Sequence, residues 1–425
     1  MTVDVDVEAR TPRKSRLLEV ALRVRRANMV LVLVLALFVG LVIGAIMIIA
    51  TTPTLVHSWA TFFSHPGKTI SENFNTVWYA YELIFQGALF NFHAVRVLVD
   101  HPNKANLATA LGPISLTLQY ATPLIAAGLG LAIGFRSNIF NIGGQGQVIA
   151  GGVVAGLIGF SLNLAPLLQV SLELIGAVIA GALLASLAGV LKAYTGAHEV
   201  IVTMMSNYIM ILLMGYLLIT NLFARPGVKD GASKAVTQSG QLPFFFSHLN
   251  SSLLVNAGFL IALAMVFVVQ WFFDRSKMGF ELLMVGQNGE AARTAGINAK
   301  RTTIIILCLA GGLCGLAGML ELTGVDHFLS PNFGGSYGFD AITVALLGRN
   351  RPWGVFFGAI FFGAMYAGGE AMQAFTPTNI QYSLAQVIQA VVVFGVATPA
   401  LIVEVFHLTD KGRFRSSGSS GGWAK

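Results

Sequence analysis

Apolar residues in this chain run in long unbroken blocks. They lack both the strict alternation of a half-buried strand and the single stripe of a surface helix. Ten blocks stand out, at 29–50, 114–134, 142–160, 169–191, 201–222, 253–273, 302–323, 337–348, 352–374 and 383–406. All but one hold 19 to 24 residues, about the length at which a helix crosses the ~30 Å hydrocarbon core of a bilayer. The block at 337–348 is too short to span and is predicted to be half-buried. Between the second and third blocks lies Phe135–Gln147, FRSNIFNIGGQGQ, a polar, glycine-rich break. Lipid cannot hydrogen-bond a broken backbone, so such a break survives at membrane depth only inside protein or against a wet cavity. Its amides Asn138, Asn141, Gln145 and Gln147 therefore either cap broken helix ends or line a path for a polar solute.

Composition agrees with the blocks. Hydrophobic residues make up 55% of the chain and charged residues 11%, with a mean hydropathy of +0.73; soluble domains average roughly 25% charged. Seven Lys and Arg precede the first block, between Arg10 and Arg26. That block is too long for the apolar core of a signal peptide, and no small-residue cleavage site follows it, so it is predicted to be an uncleaved helix with its N-terminus inside. With that orientation, 20 of the 26 Lys and Arg fall on the inner side, as the positive-inside rule requires. The net charge of +7 then reports membrane orientation, not nucleic-acid binding. Cys308 and Cys314 sit six residues apart in one apolar block and form neither a disulfide framework nor a metal site.

The expected fold is thus all-α, a polytopic membrane protein with about ten transmembrane segments and both termini cytoplasmic. Residues 1–28 form an N-terminal tail, 29–406 the membrane domain and 407–425 a Gly/Ser-rich tail. The pieces 51–113 and 223–252 are expected outside, and 274–301 inside. Val77–Val99 is apolar but carries Glu82, Gln86, His93 and Arg96, a pattern that suits a helix lying on the outer surface. Two groups of four blocks, 114–222 and 302–406, start on opposite sides, and each contains one interruption, at 135–147 and 324–352. That is the hydropathy signature of an inverted repeat.

The inner loop 274–301 reads DRSKMGFELLMVGQNGEAARTAGINAKR. It is amphipathic and longer than a connection needs. Read bottom-up, it is either a solvated connector or a short helix that docks on a soluble partner. Its run of small residues favours docking. His198–Glu199 opens an H-E pair, but Val202 stands where a zinc protease would place its second His. No G-x-x-x-x-G-K-[ST] phosphate loop occurs.

Three separated motifs carry a family resemblance. They are GFRSNIFNIGGQGQ at 134–147, AHEVIVTMMSNYI at 197–209 and GFELLMVGQNGEAARTAGIN at 279–298, with AITVALLGRNRPWG at 341–354 extending the match. Together they resemble ABC-importer permeases of the branched-chain amino acid and simple-sugar class, in particular the nucleoside permeases paired with basic-membrane-lipoprotein-type binding proteins. The resemblance spans roughly 114–405. It implies a path for nucleosides or related simple sugars, lined by Asn138, Phe140, Asn141, Gln145, Gln147, Ser206, Asn207 and Tyr208. It also makes loop 279–297 the coupling element beneath which a separate ATPase closes. Glu290 and Arg293 are expected to make polar contacts there. Gly286, Ala291, Ala292 and Gly296 are expected to shape the fit, and Gln287, Asn288 and Ile297 complete the set. ATP and Mg would bind in that ATPase, with no cofactor in this chain. The implied partners are the ATPase, a second homologous permease forming a heterodimer, an extracellular substrate-binding lipoprotein and the lipid bilayer, with no nucleic acid. Two residues depart from the family pattern: Gln145 stands where Glu is common, and Ser206 where a larger residue is usual. The alternative is an ion-coupled secondary transporter. It would call for a carboxylate deep in a helix, whereas Glu321, Asp326, Asp340 and Glu370 fall near the outer ends of blocks.

Overall fold

The structure is a computed structural model and describes residues 29–60, 62–227, 231–245, 253–375 and 380–398. The tails 1–28 and 407–425, the end of the tenth block and parts of the 223–252 segment lie outside the described residues. Among those described, the regular structure is helical, with two isolated bridges, Ala224 to Ser233 and Phe244 to Asn256.

The helices are α1 (Met29–Thr51), α2 (Pro53–Ala60), α3 (Pro66–Ala88), α4 (Phe92–Asp100), α5 (Lys104–Arg136), α6 (Gly144–Ser161), α7 (Pro166–Thr195), α8 (Glu199–Leu218), α9 (Ala257–Arg275), α10 (Lys277–Gln287), α11 (Gly289–Thr294), α12 (Ala299–Glu321), α13 (Tyr337–Leu347), α14 (Pro352–Phe375) and α15 (Ser383–Ala397). A π-helical turn, Leu322–Asp326, extends α12. Among the described residues, eight helices are long and apolar enough to cross a membrane, namely α1, α5, α6, α7, α8, α9, α12 with its π turn, and α14. They coincide with eight of the ten apolar blocks. The other two blocks give shorter helices, α13 of 11 residues and α15 of 15 residues within the described range.

The chain divides into two compact units. One comprises 1–47 with 387–425, the other 48–386. In the first, a Cβ on Gly40 would lie 2.6 Å from Val392 Cγ2, so the small residue lets two helices meet closely.

In the larger unit α12 is the centre. Its face Gly311, Gly315 and Gly318 is bare backbone. A Cβ on Gly311 would collide with Gly181 and Ala185 of α7, one on Gly315 with Ala177, and one on Gly318 with Val148 of α6. In lipid, packing of this kind replaces the hydrophobic drive that water supplies elsewhere. α5 is buried for most of its length despite Pro113 and Pro123. Asn side chains cap several starts: Asn103 accepts from Asn106 N at 2.7 Å and Asn256 from Gly258 N at 2.9 Å.

The outer segment differs from expectation. Val77–Val99 does not form one surface helix. It is divided between α3 and α4, which bend by 56° at a short break and together have the length and composition of a broken span or a re-entrant loop. α3 packs into the bundle: Thr117 Oγ1 of α5 donates to Ala88 O at 2.6 Å, and Gly87 lies against Ala371 and Gly368 of α14. Of the polar residues that argued for the surface, Gln86 Nε2 donates to Glu82 Oε1 at 2.7 Å, while His93 and Arg96 are exposed. The face bearing Ala80, Leu83 and Ala88 is left to be buried. Residues 104–113, expected in the outer loop, belong to α5.

Candidate functional site: the junction of two broken helices

α5 ends at Arg136 and α6 begins at Gly144, so the chain is irregular at the break. Asn138 turns it with a left-handed φ of 54°, a conformation asparagine tolerates better than most residues. Inside the turn the amides bond to each other and to backbone. Asn141 Nδ2 donates to Gln147 Oε1 at 2.9 Å, Gln147 Nε2 donates back to Asn141 Oδ1 at 3.0 Å, and Gly143 N also donates to Asn141 Oδ1. α8 holds the break from the side. Asn207 Oδ1 accepts from Gly146 N and Asn207 Nδ2 donates to Ile142 O, both at 2.8 Å. Ile142 N donates to Thr203 Oγ1 at 3.3 Å, and Ser206 Oγ donates to Thr203 O within α8 at 2.7 Å.

The second interruption meets the first. After the π turn the chain stays irregular to Ser336, and α13 starts at Tyr337. Gly338 N donates to Gln145 Oε1 at 2.9 Å, while Gln145 Nε2 donates to Gly335 O at 3.1 Å. A Cβ on Gly338 would overlap the Gln145 backbone. The first turns of α6 and α13 therefore converge on Gln145. One neutral amide of the first interruption satisfies both a donor and an acceptor of the second, and a carboxylate at this position would lose the donor role.

The sequence-derived path residues separate into two groups. Asn141, Gln145, Gln147, Ser206 and Asn207 are buried and form this frame. Asn138, Phe140 and Tyr208 are exposed, Phe140 to 50% and Tyr208 to 59%.

The loop 274–301 holds two helices, α10 and α11, joined at Asn288, whose side chain accepts from Glu290 N and Ala291 N at 3.1 Å. Gln287, Asn288, Glu290, Ala291, Arg293 and Gly296 are exposed, and Ile297 is half-buried. Ala292 is buried, and Ile297 N donates to Ala292 O. Gly286 faces inward: a Cβ there would lie 2.5 Å from Ser137 C and O. The loop therefore rests directly on the turn of the break. Arg136 stacks on Phe273 of α9 at 4.1 Å and lies within electrostatic reach of Asp274 and Arg351. Lys192 pairs with Glu199 at 2.6 Å across the α7–α8 joint, so the H-E pair serves a salt bridge there.

Sequence reasoning did not single out a third grouping. Tyr366 of α14 contacts the rings of Tyr120, Tyr337 and Tyr382, with centroids 5.9, 5.9 and 6.2 Å away. Carboxylates stand among them. Tyr120 Oη donates to Glu370 Oε1 at 2.6 Å, and Tyr366 Oη and Ser336 Oγ both donate to Asp340 Oδ2. The signal in the sequence was the set of carboxylates at block ends. Their shared location depends on the packing of α5, α12, α13 and α14.

Comparison with known proteins places this architecture. Residues 114–397 match the family described as branched-chain amino acid transport system / permease component. The chain is 32% identical over 295 residues to the nucleoside ABC transporter permease protein NupB of Lactococcus lactis subsp. cremoris, covering 68% of this chain and 80% of that protein. It is 32% identical over 287 residues to the guanosine ABC transporter permease protein NupP of Bacillus subtilis, covering 66% and 80%. Against the glucose ABC transporter permease protein TsgB13 of Haloferax volcanii it is 30% identical over 293 residues, covering 66% and 75%. No solved structure matches it. The chain belongs to this family of permease components: it is a multi-pass cell-membrane subunit of an ABC importer, not itself the ATPase, and it works with an ATPase and a substrate-binding partner.

Proposed function

We propose that this permease carries nucleosides or related simple sugars, and that the junction at Gln145 is the part of its path that moves when the ATPase closes. The observation that carries the reading is the direct seat of Gly286 on Ser137. Through it, a push on α10 and α11 reaches the break, and Gln145 passes the displacement to the start of α13. Glu290 and Arg293, on the exposed tip with Gln287, Asn288, Ala291 and Gly296, contact the ATPase. Gly286 and Ala292 fix the tip to the bundle. ATP and Mg bind in the ATPase and not in this chain. The amides Asn141, Gln145, Gln147 and Asn207, with Ser206, form the wall of the path, and Asn138, Phe140 and Tyr208 present its exposed edge. The substrate class rests on the relatives named for nucleosides and guanosine and on the neutral amide frame, which suits an uncharged polyol better than an anion. The relative named for glucose keeps simple sugars within the reading. The N-terminus and the loop 274–301 lie in the cytoplasm, and a second, related permease completes a heterodimer.

The test is reconstitution of the complex, with its ATPase, second permease and binding lipoprotein, in proteoliposomes. ATP-dependent uptake of labelled guanosine, adenosine, cytidine, ribose and glucose is then measured. Uptake of a nucleoside or a sugar that stops without ATP is expected. ATP-driven uptake of none of the five would refute the substrate reading.

A further inference from the structure

Three arginines at one end of the bundle take no part in the junction. Arg136 closes α5, and Arg349 and Arg351 lie in the joint between α13 and α14. The Arg136 guanidinium stacks on Phe273 of α9 at 4.1 Å, within electrostatic reach of Arg351 and Asp274. Stacking uses the flat face of the group and leaves its N–H edge for a partner. The joint is held as firmly. Arg349 and Asn350 are both left-handed, with φ of 53° and 57°, a conformation that a residue with a Cβ keeps only where its surroundings impose it. Here Asn350 N donates to Ala345 O at 2.8 Å, Arg351 N donates to Gly348 O at 3.0 Å, and a Cβ on Gly354 would overlap Gly348 O. Arg349 and Arg351 are exposed.

Among the described residues, none of these three guanidinium groups has a salt bridge or a side-chain hydrogen bond. Asp274 is the carboxylate within reach of Arg136, and its Oδ2 already accepts from Gln270 Nε2 at 2.5 Å. Three held cations beside one carboxylate leave a place for an anion, and arginine suits phosphate best of all. Next to them is apolar surface. Phe267, Trp271 and Asp274 recur on one side of α9 at helical spacing, and all three are exposed. The Phe267 ring meets the Trp353 ring of α14 edge-on at 5.1 Å. Phe357, one turn on from Trp353, is 65% exposed. Aromatic rings and cations side by side at helix ends suit the boundary between lipid chains and headgroups.

We propose that this corner binds an anionic phospholipid, whose phosphate pairs with Arg136 and Arg351 and whose chains lie on the Phe267, Trp353 and Phe357 surface. That occupant uses both parts of the corner. A free phosphate, or an acidic side chain of the ATPase, would pair with the arginines and leave the aromatic surface uncovered. A zwitterionic lipid is disfavoured, because its own cation is repelled by the arginines. The corner adjoins Ser137, the seat of Gly286, so the lipid lies next to the coupling loop. The choice of the cytoplasmic leaflet rests on the orientation given above, and the binding itself does not.

The experiment uses the assembled complex, ATPase included, in nanodiscs of equal phosphatidylglycerol and phosphatidylcholine. Native mass spectrometry counts the lipids retained. Wild type is expected to prefer phosphatidylglycerol about twentyfold, at roughly fivefold per arginine. Arg136→Gln with Arg351→Gln should cut that preference to about twofold or less. Lys300→Gln with Arg301→Gln removes the same charge from the start of α12 and should keep the wild-type preference. An equal loss in that control overturns the proposal, because charge alone would then do the selecting. A wild-type complex without preference overturns it too, since a protein partner then covers the arginines. Displacement of phosphatidylglycerol by inorganic phosphate, where chloride of equal ionic strength displaces none, would make this a free-phosphate site and overturn the lipid. If the arginine variant fails to assemble, photoreactive phosphatidylglycerol on the wild type decides. Adducts are then expected on 267–275 or 349–357, and adducts only elsewhere overturn the proposal.

Discussion

Asn207 is the sharpest test of the frame around the break. It is 1% exposed, and its two amide atoms serve two backbone groups, Gly146 N–H and Ile142 C=O, each at 2.8 Å. Replacing it by leucine keeps the branching and heavy-atom count and removes both hydrogen-bonding atoms. Gly146 N–H lies in the first turn of α6, where helices leave donors without intrahelical acceptors, and Ile142 lies in the break, where no ladder exists. Each stranded group costs about 1–3 kcal/mol. With partial relaxation the net is roughly 2–4 kcal/mol, which is about thirtyfold to a thousandfold in the local opening equilibrium. Hydrogen exchange of the purified protein in nanodiscs reads this directly: amides at 143–147 should lose protection by that factor while those of α12 hold theirs. Asn207→Asp keeps an acceptor for Gly146 and loses the donor to Ile142, so it should fall between wild type and Asn207→Leu if its charge is tolerated. Tyr208→Leu, at a 59% exposed neighbour, is the control and should change little. Protection at 143–147 in Asn207→Leu equal to wild type would refute the argument, because the break would then hold itself together without α8.

Four further outcomes follow from the same geometry. Gln145→Glu loses the donor to Gly335 O and sets a carboxylate against carbonyls, so thermal stability in detergent should fall by an amount corresponding to about 1–3 kcal/mol; an unchanged melting temperature counts against the bridge. Gly286→Val puts side-chain atoms into Ser137 and should uncouple ATP hydrolysis from uptake in the assembled complex, measured as ATP consumed per substrate moved; a wild-type ratio would sink the seat. Arg293→Glu, on the exposed tip, should leave the permease fold intact and weaken ATPase co-purification, which is checked by pull-down from nanodiscs. Gly318→Leu forces α12 away from Val148 and should abolish assembly, as seen by size exclusion, since over-packing a close helix contact costs about 1–3 kcal/mol or more.

The blocks of apolar residues were legible because a bilayer imposes a length, and eight of ten returned as helices long enough to cross one. The break at 135–147 was legible for the same reason in reverse, since a polar run with three glycines does not suit a lipid-facing helix; the irregular stretch itself is shorter, because α5 runs to Arg136 and α6 starts at Gly144. The behaviour of Val77–Val99 was not. Its hydropathy does not reveal the bend, which goes with the partners of α3: Ala367–Ala371 of α14 and Thr117 of α5 offer a small-residue groove and a hydroxyl to the end of α3.

The amides show the limit of residue chemistry more sharply. Asn141, Gln145, Gln147 and Asn207 were singled out as groups that both donate and accept, and that property is what the structure uses, but their bonds go to each other and to backbone. A sequence gives the capacity of an amide and not its address. The address of Gln145 depends on Gly338, 193 residues away. No spacing rule within one break could have predicted that meeting. It does tie the two interruptions together, because a side chain of the first, Gln145, serves a donor and an acceptor of the second. A substitution at Gln145 should therefore disturb the start of α13 as well as that of α6.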